Sequence, residues 1–205
     1  NLAAPAGRGV LAMGGEPTSV AVWNDYALVA VNTSPNFTAP SGHLAVVEIA
    51  TRRIRHTIDV GGQPDAIAVS RDGRFAAVAI ENERNEDICV GGTRNGEEVS
   101  SSACRAGGGV LGNAGQAPAG FLTIVDTVGA PSSWRTRRVS LTGLADKFPQ
   151  DPEPEYVDIN ALNQAVVTLQ ENNYLVVVDL ATGQVLSHFS ARSVDLTQID
   201  TREVD

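Results

Sequence analysis

The chain is poor in charge, in sulfur and in long apolar runs, and each shortage narrows what it can be. Charged residues make up only 19% of its 205 residues, and methionine occurs once. That balance, beside 20 glycines and 10 prolines, suits many short strands joined by turns better than packed helices. Fifteen Lys and Arg stand against 24 Asp and Glu, a formal net charge of −9. A nucleic-acid partner is therefore not expected, because no basic face is visible for a phosphate backbone. No apolar stretch approaches the roughly 20 residues needed to cross a bilayer, so no membrane span is expected. There is no Gly-x-Ser-x-Gly elbow, no phosphate-cradling Gly-Lys-Ser/Thr loop and no His-Glu-x-x-His helix. His43, His56 and His188 fall on strand positions with no Cys or His at ligand spacing, so a zinc site is not expected either. Neither an initiator methionine nor a signal peptide opens the chain. Asn1-Leu2-Ala3-Ala4-Pro5 reads as the start of a mature, processed or excised segment.

What is present is a repeat. Gly14-Gly-Glu-Pro-Thr-Ser-Val-Ala-Val22, Gly61-Gly-Gln-Pro-Asp-Ala-Ile-Ala-Val69 and Asp151-Pro-Glu-Pro-Glu-Tyr-Val-Asp-Ile159 align without gaps. Each is followed by a second apolar run (27–31, 76–80, 165–169), a third (43–49, 121–127, 174–180) and a fourth (54–60, 135–141, 185–190). The third runs end in an acid among β-formers: Glu48, Asp126 and Asp179. Runs of this length, rich in Val, Ile and Ala and bounded by Gly, Pro, Asn or Asp, are strands. Ser70-Arg-Asp-Gly73 and Ala181-Thr-Gly183 supply the residues that tight hairpins require. Four antiparallel strands per unit make a propeller blade.

The expected fold is all-β: three four-stranded blades (about 14–60, 61–144 and 151–191) of a larger, six- or seven-bladed ring. The first two units start 47 residues apart and the next two 90 apart, and an insertion at 83–119 between second and third strands holds the excess. Residues 8–13 are expected as the last strand of a preceding blade, and 192–205 as the connection to a following one. Three blades leave two open faces. The expected partners are therefore further blades, in the same precursor or on a second chain.

Loops leading into first strands, and loops joining second to third strands, share one face of a propeller. The former carry Glu16, Gln63, Asp65, Glu153 and Glu155. The latter carry Asn32, the run Glu81-Asn-Glu-Arg-Asn-Glu-Asp87, and Gln170-Glu-Asn-Asn173. Carboxylates and amides thus converge on one mouth, with Arg84 the main cation among them. Two readings follow: hard oxygen ligands for Ca2+, or ordinary polar turn residues. The candidate ligands are Asp65, Glu81, Glu83, Glu153, Glu155 and Glu171, and no catalytic nucleophile stands out.

Both cysteines, Cys89 and Cys104, lie in the Gly/Ser-rich insertion. An isolated pair there reads as a disulfide outside a reducing compartment, two free thiols being the alternative. Gly107-Gly-Gly109 reads as linker-like. Asn32-Thr-Ser34 and Asn36-Phe-Thr38 match the short glycosylation pattern, which matters only in a eukaryotic source.

Three stretches carry a family resemblance: Asp151-Pro-Glu-Pro-Glu-Tyr-Val-Asp with Val-Val-Thr-Leu-Gln-Glu-Asn-Asn-Tyr174 and Val-Val-Asp-Leu-Ala-Thr-Gly183; Ile80-Glu-Asn-Glu-Arg-Asn-Glu-Asp87; and Gln-Ala-Pro-Ala-Gly-Phe-Leu-Thr-Ile-Val-Asp126. With the ending Val194-Asp-Leu-Thr-Gln-Ile-Asp200, they resemble bacterial secreted propellers of the esterase-like phytase and alkaline-phosphatase-like kind, including those with a choice-of-anchor domain. The resemblance implies a secreted or periplasmic bacterial protein whose blades run on. It also implies, as one activity, Ca2+-dependent hydrolysis of a phosphorylated small molecule, with a bound water as nucleophile. The residues themselves favour a non-catalytic binding module with Ca2+ sites at the mouth.

Overall fold

The computed structural model describes residues 7, 9–112 and 116–193. The first sheet contains β1 (Glu16–Trp23), β2 (Tyr26–Asn32), β3 (Gly42–Glu48) and β4 (Arg53–Asp59), in that order and antiparallel throughout. The second begins with β5 (Pro64–Val69) and β6 (Phe75–Ile80). The insertion then contributes a small ribbon, β7 (Cys89–Val90) with β8 (Val110–Leu111), and one helical turn and a half, α1 (Ser101–Ala106). The chain rejoins the second sheet as β9 (Phe121–Asp126) and β10 (Arg135–Ser140), β6 pairing directly with β9. The third sheet is β11 (Pro154–Ile159), β12 (Gln164–Leu169), β13 (Tyr174–Asp179) and β14 (Val185–Ser190). Three four-stranded antiparallel meanders, stacked face to face, are the blades of a β-propeller.

Burial reports each sheet's place in the stack. Every residue of β6, Phe-Ala-Ala-Val-Ala-Ile, is buried, because the second sheet is covered on both faces. β13 instead alternates buried and half-buried, because the third sheet is covered on one face only. Leu28, Ala30, Leu44 and Val46 of the first sheet pack on Ala76, Val78, Ile80 and Phe121 of the second. The second sheet's other face, with Ala77, Ala79, Leu122 and Ile124, packs on Val167, Leu169, Val176 and Val178 of the third. Gly42 and Gly120, just ahead of the apolar third runs, make the close approach possible. A Cβ at Gly42 would collide with the ring of Pro64, and one at Gly120 would lie 2.5 Å from Pro154 Cδ.

The repeat acids brace the outer strands. Glu48 accepts hydrogen bonds from Thr51 and Arg55, and Asp179 caps the turn through the Thr182 backbone and hydroxyl. Asp126 pairs with Arg137 at 3.0 Å, and Arg137 also donates to the Leu180 carbonyl of the third blade, 2.7 Å away.

One expectation changes. Residues 9–13 form no strand; Leu11 and Met13 instead pack on the outer face of the first sheet beside Val29, Val31, Ala45 and Val47. Within the insertion, Ser100 caps α1 by accepting from the Ala103 amide. Of the expected connection 192–205, residues 194–205 lie outside the described residues, as does Arg8 of the expected preceding strand. No described helix is long and apolar enough to cross a membrane.

Candidate functional site

The innermost strands β1, β5 and β11 each break register at the same step. The slip falls between Pro17 and Ser19, between Pro64 and Ile67, and between Pro154 and Tyr156. Proline has no amide proton for the ladder, so the strand bulges there and re-aims the next side chain. That next residue is Thr18, Asp65 or Glu155. Thr18 bonds across to the Pro64 carbonyl of the neighbouring blade (2.9 Å). Asp65 and Glu155 are carboxylates at the corresponding step, and both face a groove with Tyr156, Gln170 and Leu175.

Amides hold this frame in place. Asn82 Oδ1 accepts the Gln63 amide proton (2.9 Å), and its Nδ2 donates to the Ala119 carbonyl (3.1 Å). In the next blade Asn172 Oδ1 accepts the Glu153 amide proton (3.0 Å), and its Nδ2 donates to the Asp151 carbonyl (3.0 Å). Both side chains are buried. They tie the lead-in loop of each blade to the loop beyond its second strand, and are framework, not ligands.

The six candidate carboxylates divide into two groups. Asp65, Glu81, Glu83 and Glu155 make the first, and each of its shifted members senses at least one of the others. Burial, then the charges of Asp65, Glu83, Glu155 and Glu153, pushes Glu81 up to about 8. Burial and Glu83 raise Asp65. Burial, Asp65, Glu171 and Glu83 raise Glu155. Gln63 props Glu83, its Oε1 accepting the Glu83 amide proton at 3.0 Å.

Glu153 and Glu171 make the second group, around Arg84. The guanidinium lies 3.1 Å from Asp151, 3.3 Å from Glu153 and 3.9 Å from Glu171, and stands over the Phe148 ring. Arg84, Asp151 and Glu153 are only 4%, 1% and 2% exposed. Sequence reasoning placed Arg84 among the mouth residues and did not include Asp151. The available signal is positional: Asp151 stands where the other two repeats have Gly14 and Gly61. Among the described residues, no three His, Cys, Asp or Glu are placed to hold one metal ion together.

Cys89 and Cys104 form a disulfide, with Cα atoms 5.5 Å apart. The glycines nearby do more than link, since a Cβ at Gly109 would fall 2.6 Å from the Cys89 sulfur. His188 stands against the Tyr174 hydroxyl at 3.2 Å.

No curated protein matches the chain. Among solved structures, it is similar to Kuenenia stuttgartiensis hydrazine synthase (13% identity, 79% of this chain, 39% of that one, TM-score 0.49). It is also similar to the β-propeller domain of the Trilobed protease from Pyrococcus furiosus (8% identity, 85% and 42%, TM-score 0.47). A third is the Cps50 (Swd1) β-propeller domain of Myceliophteria thermophila (11% identity, 86% and 44%, TM-score 0.49). The chain spans about two fifths of the length of these structures. A profile of the choice-of-anchor I domain matches residues 4–205. The chain, three blades with a stapled insertion, therefore belongs to the choice-of-anchor I domain family.

Proposed function

We propose that this chain is part of an extracellular or periplasmic β-propeller that binds rather than catalyses, and that its acidic mouth takes up Ca2+. The observation that carries this reading is the placement of Asp65 and Glu155 at matching bulges of neighbouring inner strands, with Glu81 and Glu83 alongside. Neighbouring carboxylates help raise the proton affinity of Asp65, Glu81 and Glu155, a repulsion that a divalent cation relieves. The bulges hold the backbone at Asp65 and Glu155, and Gln63 holds the other two, its carbonyl accepting the Glu81 amide proton and its Oε1 that of Glu83. The disulfide and the choice-of-anchor family support the extracellular setting.

The alternative, a Ca2+-dependent phosphoesterase acting on a phosphorylated small molecule, draws less support. Arg84 is buried and held by carboxylates, so it is not free to meet a phosphate. Further blades, in the same precursor or on a second chain, complete the ring in this proposal. They cover the third sheet's open face, where Tyr156 is 67% and Phe189 49% exposed.

Calorimetric titration with Ca2+, run beside a phosphatase assay with and without the ion, tests the reading. Saturable binding that is lost in Glu81→Gln, with no phosphatase activity, supports it. Absence of binding, or Ca2+-dependent hydrolysis, overturns it.

A further inference from the structure

The disulfide-stapled insertion carries a reactive dipeptide away from the acidic mouth. Asn95 is the one asparagine of the chain that precedes a glycine. That order favours a reaction of the backbone with its own side chain. The Gly96 amide nitrogen, unhindered by a side chain, attacks Asn95 Cγ, closes a five-membered imide and expels ammonia. Water then opens the imide at either carbonyl and leaves aspartate or isoaspartate. Burial does not prevent this, because Asn95 and Gly96 are both exposed and a Cβ at Gly96 would meet nothing within 4 Å.

Hydrogen bonds hold the reacting atoms apart instead. The Gly96 amide donates to the Cys89 carbonyl at 2.7 Å, and the Cys89 amide donates to the Glu97 carbonyl at 2.8 Å. Asn95 Oδ1 accepts the Gly91 amide proton at 2.7 Å, which ties the electrophilic side chain to the other side of the turn. Asn95 has a ψ of 124°, so the Gly96 nitrogen lies beside the Asn95 Cα hydrogen, a third of a turn from the Cβ it must approach. The Thr93 amide donates to the carbonyl of Gly107, the residue that ends α1, and Cys104 stands on α1. The turn is thus held from both arms of the staple, by Cys89 itself and by the end of the helix that carries Cys104.

We propose that Asn95 is a site of spontaneous deamidation guarded by the Cys89–Cys104 disulfide. The site is shut while the cysteines are joined. It opens once a thiol reductant has taken the disulfide to two thiols, becoming a disulfide itself. Without the staple the two arms part more often, and the Gly96 N–H leaves the Cys89 carbonyl. Rotation about the Asn95 Cα–C bond then brings the nitrogen to Cγ. The mark is one-way, since re-oxidation restores the S–S bond and not the amide. Asn95 in this way records whether the insertion has met reducing conditions, whatever the mouth binds.

Peptide mapping by mass spectrometry reads the conversion of Asn95 after equal incubations in mildly alkaline buffer, with isoaspartate told from aspartate by fragmentation. The native oxidised chain is compared with the native chain in a dithiol reductant, and with a Cys89→Ser, Cys104→Ser double variant without reductant. Denatured oxidised chain gives the unguarded rate. Conversion is expected to be about tenfold or more faster in the reduced chain and in the double variant than in the oxidised chain. Asn36, exposed in the first blade, is expected to convert equally in all three native samples. Hydrogen exchange on peptides of β2, β6 and β12, run on the same samples, is expected to show the blades still protected. Conversion in the native oxidised chain at the denatured rate overturns the proposal, as do equal rates in the oxidised and reduced native chains. Acceleration in reductant that is missing from the double variant belongs to the reductant and overturns it too. Loss of blade protection on reduction would show that the staple holds the whole fold and not this turn, and overturns it as well.

Discussion

Asp65 and Glu155 occupy the same step of adjacent inner strands, each one residue past the proline at which the ladder slips. Repetition of a structural device, not chance proximity, thus brings these two carboxylates to one mouth. Where the first blade has Thr18, which can donate to the neighbouring Pro64 carbonyl, the second and third have groups that repel one another when ionised. The framework fixes the backbone and leaves the charge uncompensated.

That repulsion sets a pH dependence. Burial and the charges of Asp65, Glu83, Glu155 and Glu153 push Glu81 up to about 8, against 4.5 for an ordinary glutamate. Between those values the folded chain holds a proton that the unfolded chain has released. The stability from this group is complete below about pH 4.5 and is lost as pH rises to about 8. Melting temperature without added metal is expected to fall from pH 5.5 to pH 8, and less steeply in Glu81→Gln. Identical slopes in the two proteins would show that Glu81 is not strained by its neighbours.

The disulfide predicts a simple titration. Denatured, unreduced protein is expected to show no reactive thiol, because Cys89 and Cys104 are joined. Reduction is expected to lower the stability of the fold by about 3 kcal/mol, the chain-entropy figure for a loop of roughly 15 residues. Two labelled thiols per chain would contradict the pairing.

Gly120 tests the blade-to-blade approach. A Cβ there would lie 2.5 Å from the Glu81 and Pro152 carbonyl oxygens and from Pro154 Cδ, and two of these contacts are backbone, with little room to shift. Gly120→Ala is expected to cost about 1–3 kcal/mol in urea denaturation, as overpacking does. A change within about 0.5 kcal/mol would mean that the blades sit further apart.

Much of this architecture was legible in the residues, because strands announce themselves locally. The alternation in Leu175–Val178 and the Gly and Asp of Ser70-Arg-Asp-Gly73 act over a few positions, and the strands fall where such patterns place them. The site was less legible. Asn82 and Asn172 look like any turn amides, and their burial depends on loops far away in sequence. Arg84 in a run of acids looks solvated, yet its partner Asp151 lies 67 positions on. Nothing local reveals such a pair; only the break in the repeat, Asp151 in place of Gly14 and Gly61, marks it. The turn of helix at Ser101–Ala106 follows a serine cap that the Gly/Ser-rich composition disguises.

The open face of the third sheet predicts association. Tyr156, Val166 and Phe189 are exposed there, while the corresponding faces of the first and second sheets are covered by the next blade. At about 25 cal/mol per Å², covering several hundred Å² is worth on the order of 10 kcal/mol. Light scattering of the isolated chain is expected to show self-association or aggregation, reduced by Phe189→Lys. A cooperative monomer of 21.5 kDa with no tendency to associate would show that three blades are sufficient alone.

The most direct test of the acidic mouth is the melting temperature at pH 7.5 in Ca2+ against chelator, for wild type and for the Asp65→Asn, Glu155→Gln double variant. A ligand that binds only the folded chain adds about 1.4 kcal/mol at ten times its Kd, a rise of about 3 °C or more for a chain of this size. The account predicts that rise in wild type and its loss in the double variant. Equal melting of wild type in Ca2+ and in chelator would contradict it, and would leave these carboxylates as turn residues that repel one another without purpose for a metal.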